Sequence, residues 1–95
     1  MKATEAIQYC DELEGMVGDG PGEIYGCLDR IKKIEFAFRS HEHPYVREKA
    51  RDAAEFLSIW RSANKWRQWG DNPSGLESTV RNCIAVLRMS INASE

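Results

Sequence analysis

The residues of this chain with the most chemical potential are a pair of histidines, a row of cations and a loop of glycines. His41 and His43 flank Glu42 in the run Ser40-His-Glu-His-Pro44. Two imidazoles beside a carboxylate could ligate a metal, and Glu42 with either could be drawn as an acid–base pair. No H-x-x-x-H or C-x-x-C spacing accompanies the run, so it reads as a turn whose imidazoles cap a helix end. Neither a metal nor a cofactor is expected. No nucleophile with a neighbouring base, oxyanion loop or paired buried carboxylates stands out, and so small a helical domain has little volume for an enclosed substrate. The expectation is a protein that is not an enzyme.

The row of cations lies between Pro44 and Trp69, where at 100° per residue Arg47, Arg51, Arg61 and Lys65 share a sector with Ala54, Ser58 and Gln68. Glu48, Asp52 and Glu55 project from a different side. Such a stripe suits phosphates or an acidic protein surface, and Trp66 and Trp69 could stack a base. The competing reading is a solvated surface in which Glu48 with Arg51 and Arg51 with Glu55 pair locally. The charge density is low for a nucleic-acid footprint.

Gly15, Gly18, Gly20 and Gly22 fall in an eight-residue stretch with Pro21. Glycines before a helix can turn backbone N–H groups toward a phosphate, but the stretch lacks G-x-x-x-x-G-K-[ST] and follows no strand. Asp19 and Glu23 would repel an anion. The glycines therefore read as a flexible connection.

The elements that must position these groups follow from apolar spacing. Ala3, Ile7, Cys10, Leu13 and Val17 recur at steps of three and four, which predicts a first helix over 2–17. A second helix is expected over 23–39, burying Ile24, Cys27, Leu28, Ile31, Ile34 and Phe38 and leaving Tyr25 and Phe36 on the outward side. A third runs over 44–69 with no internal glycine or second proline, and Gly70 is placed to cap it. At roughly 1.5 Å per residue it spans about 39 Å against about 24 Å for its neighbours. Its apolar sector widens toward Phe56, Ile59, Trp60, Ala63 and Trp66, so its end is expected to overhang. The fourth covers 74–91, started by a Ser74–Glu77 capping box or by Asn72 before Pro73, with Leu76, Val80, Cys83, Ile84, Leu87 and Ile91 inward. The sum is an all-α fold, one domain over 1–95, a compact antiparallel bundle of about four helices with a long third.

The 95 residues are 42% hydrophobic and 29% charged, ordinary for a globular domain, and no apolar run approaches the roughly 20 residues that span a bilayer. Cys10, Cys27 and Cys83 cannot all pair, and each falls on an apolar stripe, which points to reduced thiols and the cytoplasm. The net charge of −2 disfavours a general nucleic-acid binder. It is unevenly placed: residues 1–22 carry −4 and the remainder +2, so an acidic first helix meets a mildly basic body.

These features predict a non-catalytic protein that binds another protein, of the inhibitor or adaptor type that bacteria and their phages encode at this size. Tyr25, Phe36, Trp66 and Trp69 are the expected anchors, and the overhang would also support a homo-oligomer. The alternative is binding of a nucleic acid or anionic nucleotide through Arg47, Arg51, Arg61 and Lys65. Membranes are not expected partners.

Overall fold

In the computed structural model, residues 1–22, 26–68 and 73–94 are described. They form four α-helices, α1 (Ala3–Gly18), α2 (Cys27–Phe38), α3 (Pro44–Trp60) and α4 (Pro73–Ala93), with a 3-10 turn at Lys65–Gln68 between the last two. No strand occurs among the described residues. No helix among them is long and apolar enough to cross a membrane.

The helices neighbour one another in chain order, with α4 closing back on α1. Contact is most extensive between α3 and α4, followed by α1 with α4 and α2 with α3, and α2 does not reach α4. Each helix buries one stripe: Ala6, Cys10, Leu13 and Val17; Ile31, Ile34 and Phe38; Val46, Ala50, Ala53 and Leu57; Leu76, Val80, Ile84, Leu87 and Ile91. Ala6 is buried where Ala3 and Ile7 were expected and are only half-buried, and Ala54, expected on the outer side, is buried as well. The alanines of α3 let its neighbours approach closely, which is why the thickest part of the core lies between α3 and α4.

The first helix (Ala3–Gly18) and the fourth (Pro73–Ala93) lie within two residues of their expected bounds, whereas the second and third differ, each for a local reason. The second begins only at Cys27, preceded by Gly26 at φ +82°, a left-handed conformation that interrupts helix and favours glycine. Ile24 lies outside the described residues. The third helix stops at Trp60, nine residues before its expected end. There the Ser62 hydroxyl donates to the Ile59 carbonyl (2.9 Å) and accepts the Lys65 N–H (2.8 Å), so it competes with the ladder behind it and caps the 3-10 turn ahead.

The consequence is that α3 does not overhang. After the break the chain turns back, Trp66 meets Trp60 edge-on with ring centroids 6.4 Å apart, and Ala63 is exposed instead of buried. The premise for self-association through that end is removed. At the start of α4, Ser74 is already inside the helix, so it is not the cap; Asn72 and Gly70 lie outside the described residues.

The uneven charge of the sequence is resolved by packing. Glu12 of α1 receives the Arg30 guanidinium at 2.6 Å and 2.5 Å, and Arg88 of α4 reaches Glu14 (2.8 Å) and Asp11 (2.6 Å). Bidentate hydrogen bonding from Arg30 holds the Glu12 carboxyl below the usual carboxylate range, against a smaller upward push from burial. The acidic face of α1 is thus largely occupied by cations of its own chain.

The thiols are free. Cys10 is fully buried and burial pushes it up to about 11, whereas Cys27 and Cys83 sit half-buried at the margins of the core. All three were expected on inward stripes; only Cys10 lies at the centre of one. With a disulfide reagent at neutral pH, Cys27 and Cys83 should react in the native state and Cys10 only on unfolding. Native labelling of three thiols at one rate would contradict this packing.

Candidate functional site

Of the expected anchors, Phe36 and Trp66 are described and lie on different elements, α2 and the 3-10 turn. Tyr25 and Trp69 lie outside the described residues. Phe36 is 69% exposed on α2, with the Arg39 guanidinium 5.6 Å above its ring. Trp66 is half-buried against Trp60 and carries the Arg67 guanidinium over its ring at 5.3 Å. It serves the end of the core before it can serve a partner. Tyr45 and Met89, which apolar spacing did not single out, are also exposed.

The cationic row fares differently. Arg61 leaves it: with the helix ended at Trp60, its side chain turns inward and is 0% exposed. Its Nη1 donates to the Met16 carbonyl at 3.3 Å, while Nε and Nη2 have no hydrogen-bond partner. Beside it the Trp60 indole donates to the Val17 carbonyl at 3.0 Å, and the Gly22 N–H donates to the Trp60 carbonyl, also at 3.0 Å. Two side chains at the end of α3 thereby take up carbonyls that the last turn of α1 leaves without helical donors. The glycine stretch has its explanation here, since the backbone at Gly20 runs directly against the Arg61 side chain.

Arg47, Arg51 and Lys65 stay on the outer side, and there they line a groove between α2 and α3. The two helices are antiparallel, joined by the short turn that contains His41. At the end near this turn the groove is bounded by Glu35 and Arg39 from α2 and by Arg47, Glu48 and Arg51 from α3. Its middle has Ile31 and Ala54 as floor. The far end is an open depression of about 500 Å³ in which Leu28 and Ile59 lie between Lys32 and Lys65. Adjoining segments share Glu35 and Arg51, then Lys32, Glu55 and Ser58, so the groove is continuous.

Its electrostatics follow from which charges are already paired. Arg39 forms a salt bridge to Glu35 at 3.0 Å, and Arg47 donates to the His41 carbonyl. The local pairs expected of Arg51 with Glu48 or Glu55 do not close: among the described residues Arg51, Lys32 and Lys65 have no carboxylate within 4.0 Å. Sequence spacing identified the α3 wall of this groove. It missed the α2 wall, because nothing in one sequence says which face of a second helix will stand opposite the first.

His41 and His43 form the expected turn. His41 is 4% exposed, its ring stacks on Phe38, and its Nδ1 accepts the His43 N–H at 3.1 Å. Among the described residues no group of three or more His, Cys, Asp or Glu side chains is placed to hold a metal. Burial first, then the nearby His43, the N-terminal amine and Arg47, lower the proton affinity of His41; Glu42 opposes them. The folded protein therefore favours neutral imidazole more than the unfolded chain does. This stabilisation is present above roughly pH 6.5, the ordinary imidazole value, and is lost as pH falls through the lower folded-state value. Urea midpoints should drop between pH 7.5 and 5.5, and His41→Gln should flatten that drop. An unchanged slope in the variant would assign it to another group.

No family model, no curated protein and no solved structure matches the chain. The α2–α3 groove is therefore judged on its own geometry.

Proposed function

We propose that this chain is a non-catalytic cytoplasmic binding protein, of the inhibitor or adaptor type, whose α2–α3 groove holds a segment of another protein. The observation that carries the reading is the set of cations without ion partners among the described residues over an apolar floor: Arg51, Lys32 and Lys65 around Ile31, Ala54 and Ile59. Arg30 and Arg88, by contrast, are met by carboxylates of α1. Mixed polar rims over apolar centres are what protein interfaces use. Phe36, beside the groove on α2, adds an exposed aromatic.

A nucleic acid or anionic nucleotide is the second reading, favoured by the same cations. It is weakened by the inward turn of Arg61, which removes one of the four cations expected to meet a polyphosphate.

A photo-reactive amino acid at Ser58 in the groove, compared with one at Met89 on α4, tests the proposal in the source cell. The expected result is a protein adduct from Ser58, resistant to nuclease, and a much weaker one from Met89. A nuclease-sensitive adduct supports the second reading, and no adduct from Ser58 defeats both.

A further inference from the structure

Resting on that reading, we infer that the occupant of the α2–α3 groove is an amphipathic α-helix with carboxylates near both ends of its contact face. The floor dictates the helical form. Ser58 and Ser62 face the groove, but their hydroxyls already donate to the Ala54 and Ile59 carbonyls of their own helix. Ile31, Ala54 and Leu28 offer no polar group. An extended segment laid here would lose water from its backbone N–H and C=O groups over the floor and find partners only at the charged rims. A helix satisfies those groups within itself.

Size agrees. Ala54 and Ser58 stand at successive turns of α3, Ser62 follows just past its end, and all are small, so a third helix can approach the α2–α3 pair closely, much as bundle helices approach one another. From Arg47 to Ser62 the groove runs about 22 Å, enough for roughly four turns.

Charge decides the sign of the occupant. Along the walls cations outnumber carboxylates five to three, and one of the three, Glu35, is bound to Arg39. Lys65 stands at the far end and Arg51 toward the near one, with Lys32 lining both the far end and the middle beside Arg51. Carboxylates about 11 residues apart on one helix, with apolar residues at the intervening turns, would meet both ends. A basic helix would meet like charge at both ends.

Display of random peptides of about 16 residues on the immobilised full chain tests this, followed by titration and circular dichroism of the selected peptides. Expected are acidic amphipathic sequences that become helical on binding. Their affinity should fall about tenfold or more on the combined Lys32→Glu, Arg51→Glu and Lys65→Glu changes, all at exposed positions, and return when the peptide glutamates become lysines. No enrichment, enrichment of basic or non-helical sequences, or affinity indifferent to the charge reversal would each overturn the inference. So would tighter binding of single-stranded oligothymidylate than of any selected peptide. Peptides that enrich on another face leave protein binding standing and remove only the groove, whereas a missing adduct from Ser58 in cells removes the reading beneath it.

Discussion

Trp60→Ala lowers the free energy of unfolding by about 3–5 kcal/mol, the range for truncating a buried aromatic. Trp60 is 4% exposed, packs edge-on with Trp66, and is the only indole described that donates to a backbone carbonyl, that of Val17. For a domain of this size total stability is on the order of 5–14 kcal/mol, so about a fifth or more is at stake. Trp60→Phe separates the contributions, since it keeps most of the packing and leaves the Val17 carbonyl only the longer bond from the Gly20 N–H (3.4 Å), at a cost of about 1 kcal/mol. Urea denaturation measures both. A cost for Trp60→Ala no greater than that for Trp60→Phe would mean that the ring fills no essential space.

Gly20→Ala should cost about 1–3 kcal/mol, as overpacking does. The added Cβ would collide with Arg61 Nη1 and lie 2.8 Å from its Cζ and 2.9 Å from its Cδ. A flexible side chain at a surface could swing aside. Arg61 is fully enclosed, so its movement would disturb the junction of α1 and α3. In an Arg61→Ala background the obstruction is gone, and Gly20→Ala should change stability by no more than about 0.5 kcal/mol. Additive costs in the double variant would show that Gly20 is needed for some other reason.

How far the sequence could be read is clearest at α3. Val46, Ala50, Ala53 and Leu57 recur at helical spacing and are all buried, because periodicity reports directly on which side of a helix avoids water. The end of the same helix is not legible that way, since the absence of glycine and proline does not oblige a helix to continue. The stop is made by the Ser62 hydroxyl, and a serine competes with the helix ladder only where the surrounding packing rewards the turn, as Trp66 on Trp60 does here. Everything downstream of that stop shifted with it: Arg61 went from the outer row to the interior, and the overhang vanished. Arg47, Arg51 and Lys65 kept their predicted side, being outside the core in either phase. The opposite wall of the groove depended on tertiary pairing and had no local signal.

The helices are unequally anchored, and the groove lies on the least anchored of them. α2 has 12 residues, starts from a glycine without a side-chain cap and touches α1 only lightly, whereas α3 is held on two sides. Small elements with few partners open as units well before the whole domain unfolds. A ligand that needs both walls binds only molecules in which α2 is docked, so every increment of its affinity is also an increment in the closing of α2. Slowed amide exchange across 27–38 would then report occupancy even of a ligand that leaves the backbone where it was, and substitutions that loosen α2 from α1, far from the groove, would weaken binding without touching a contact.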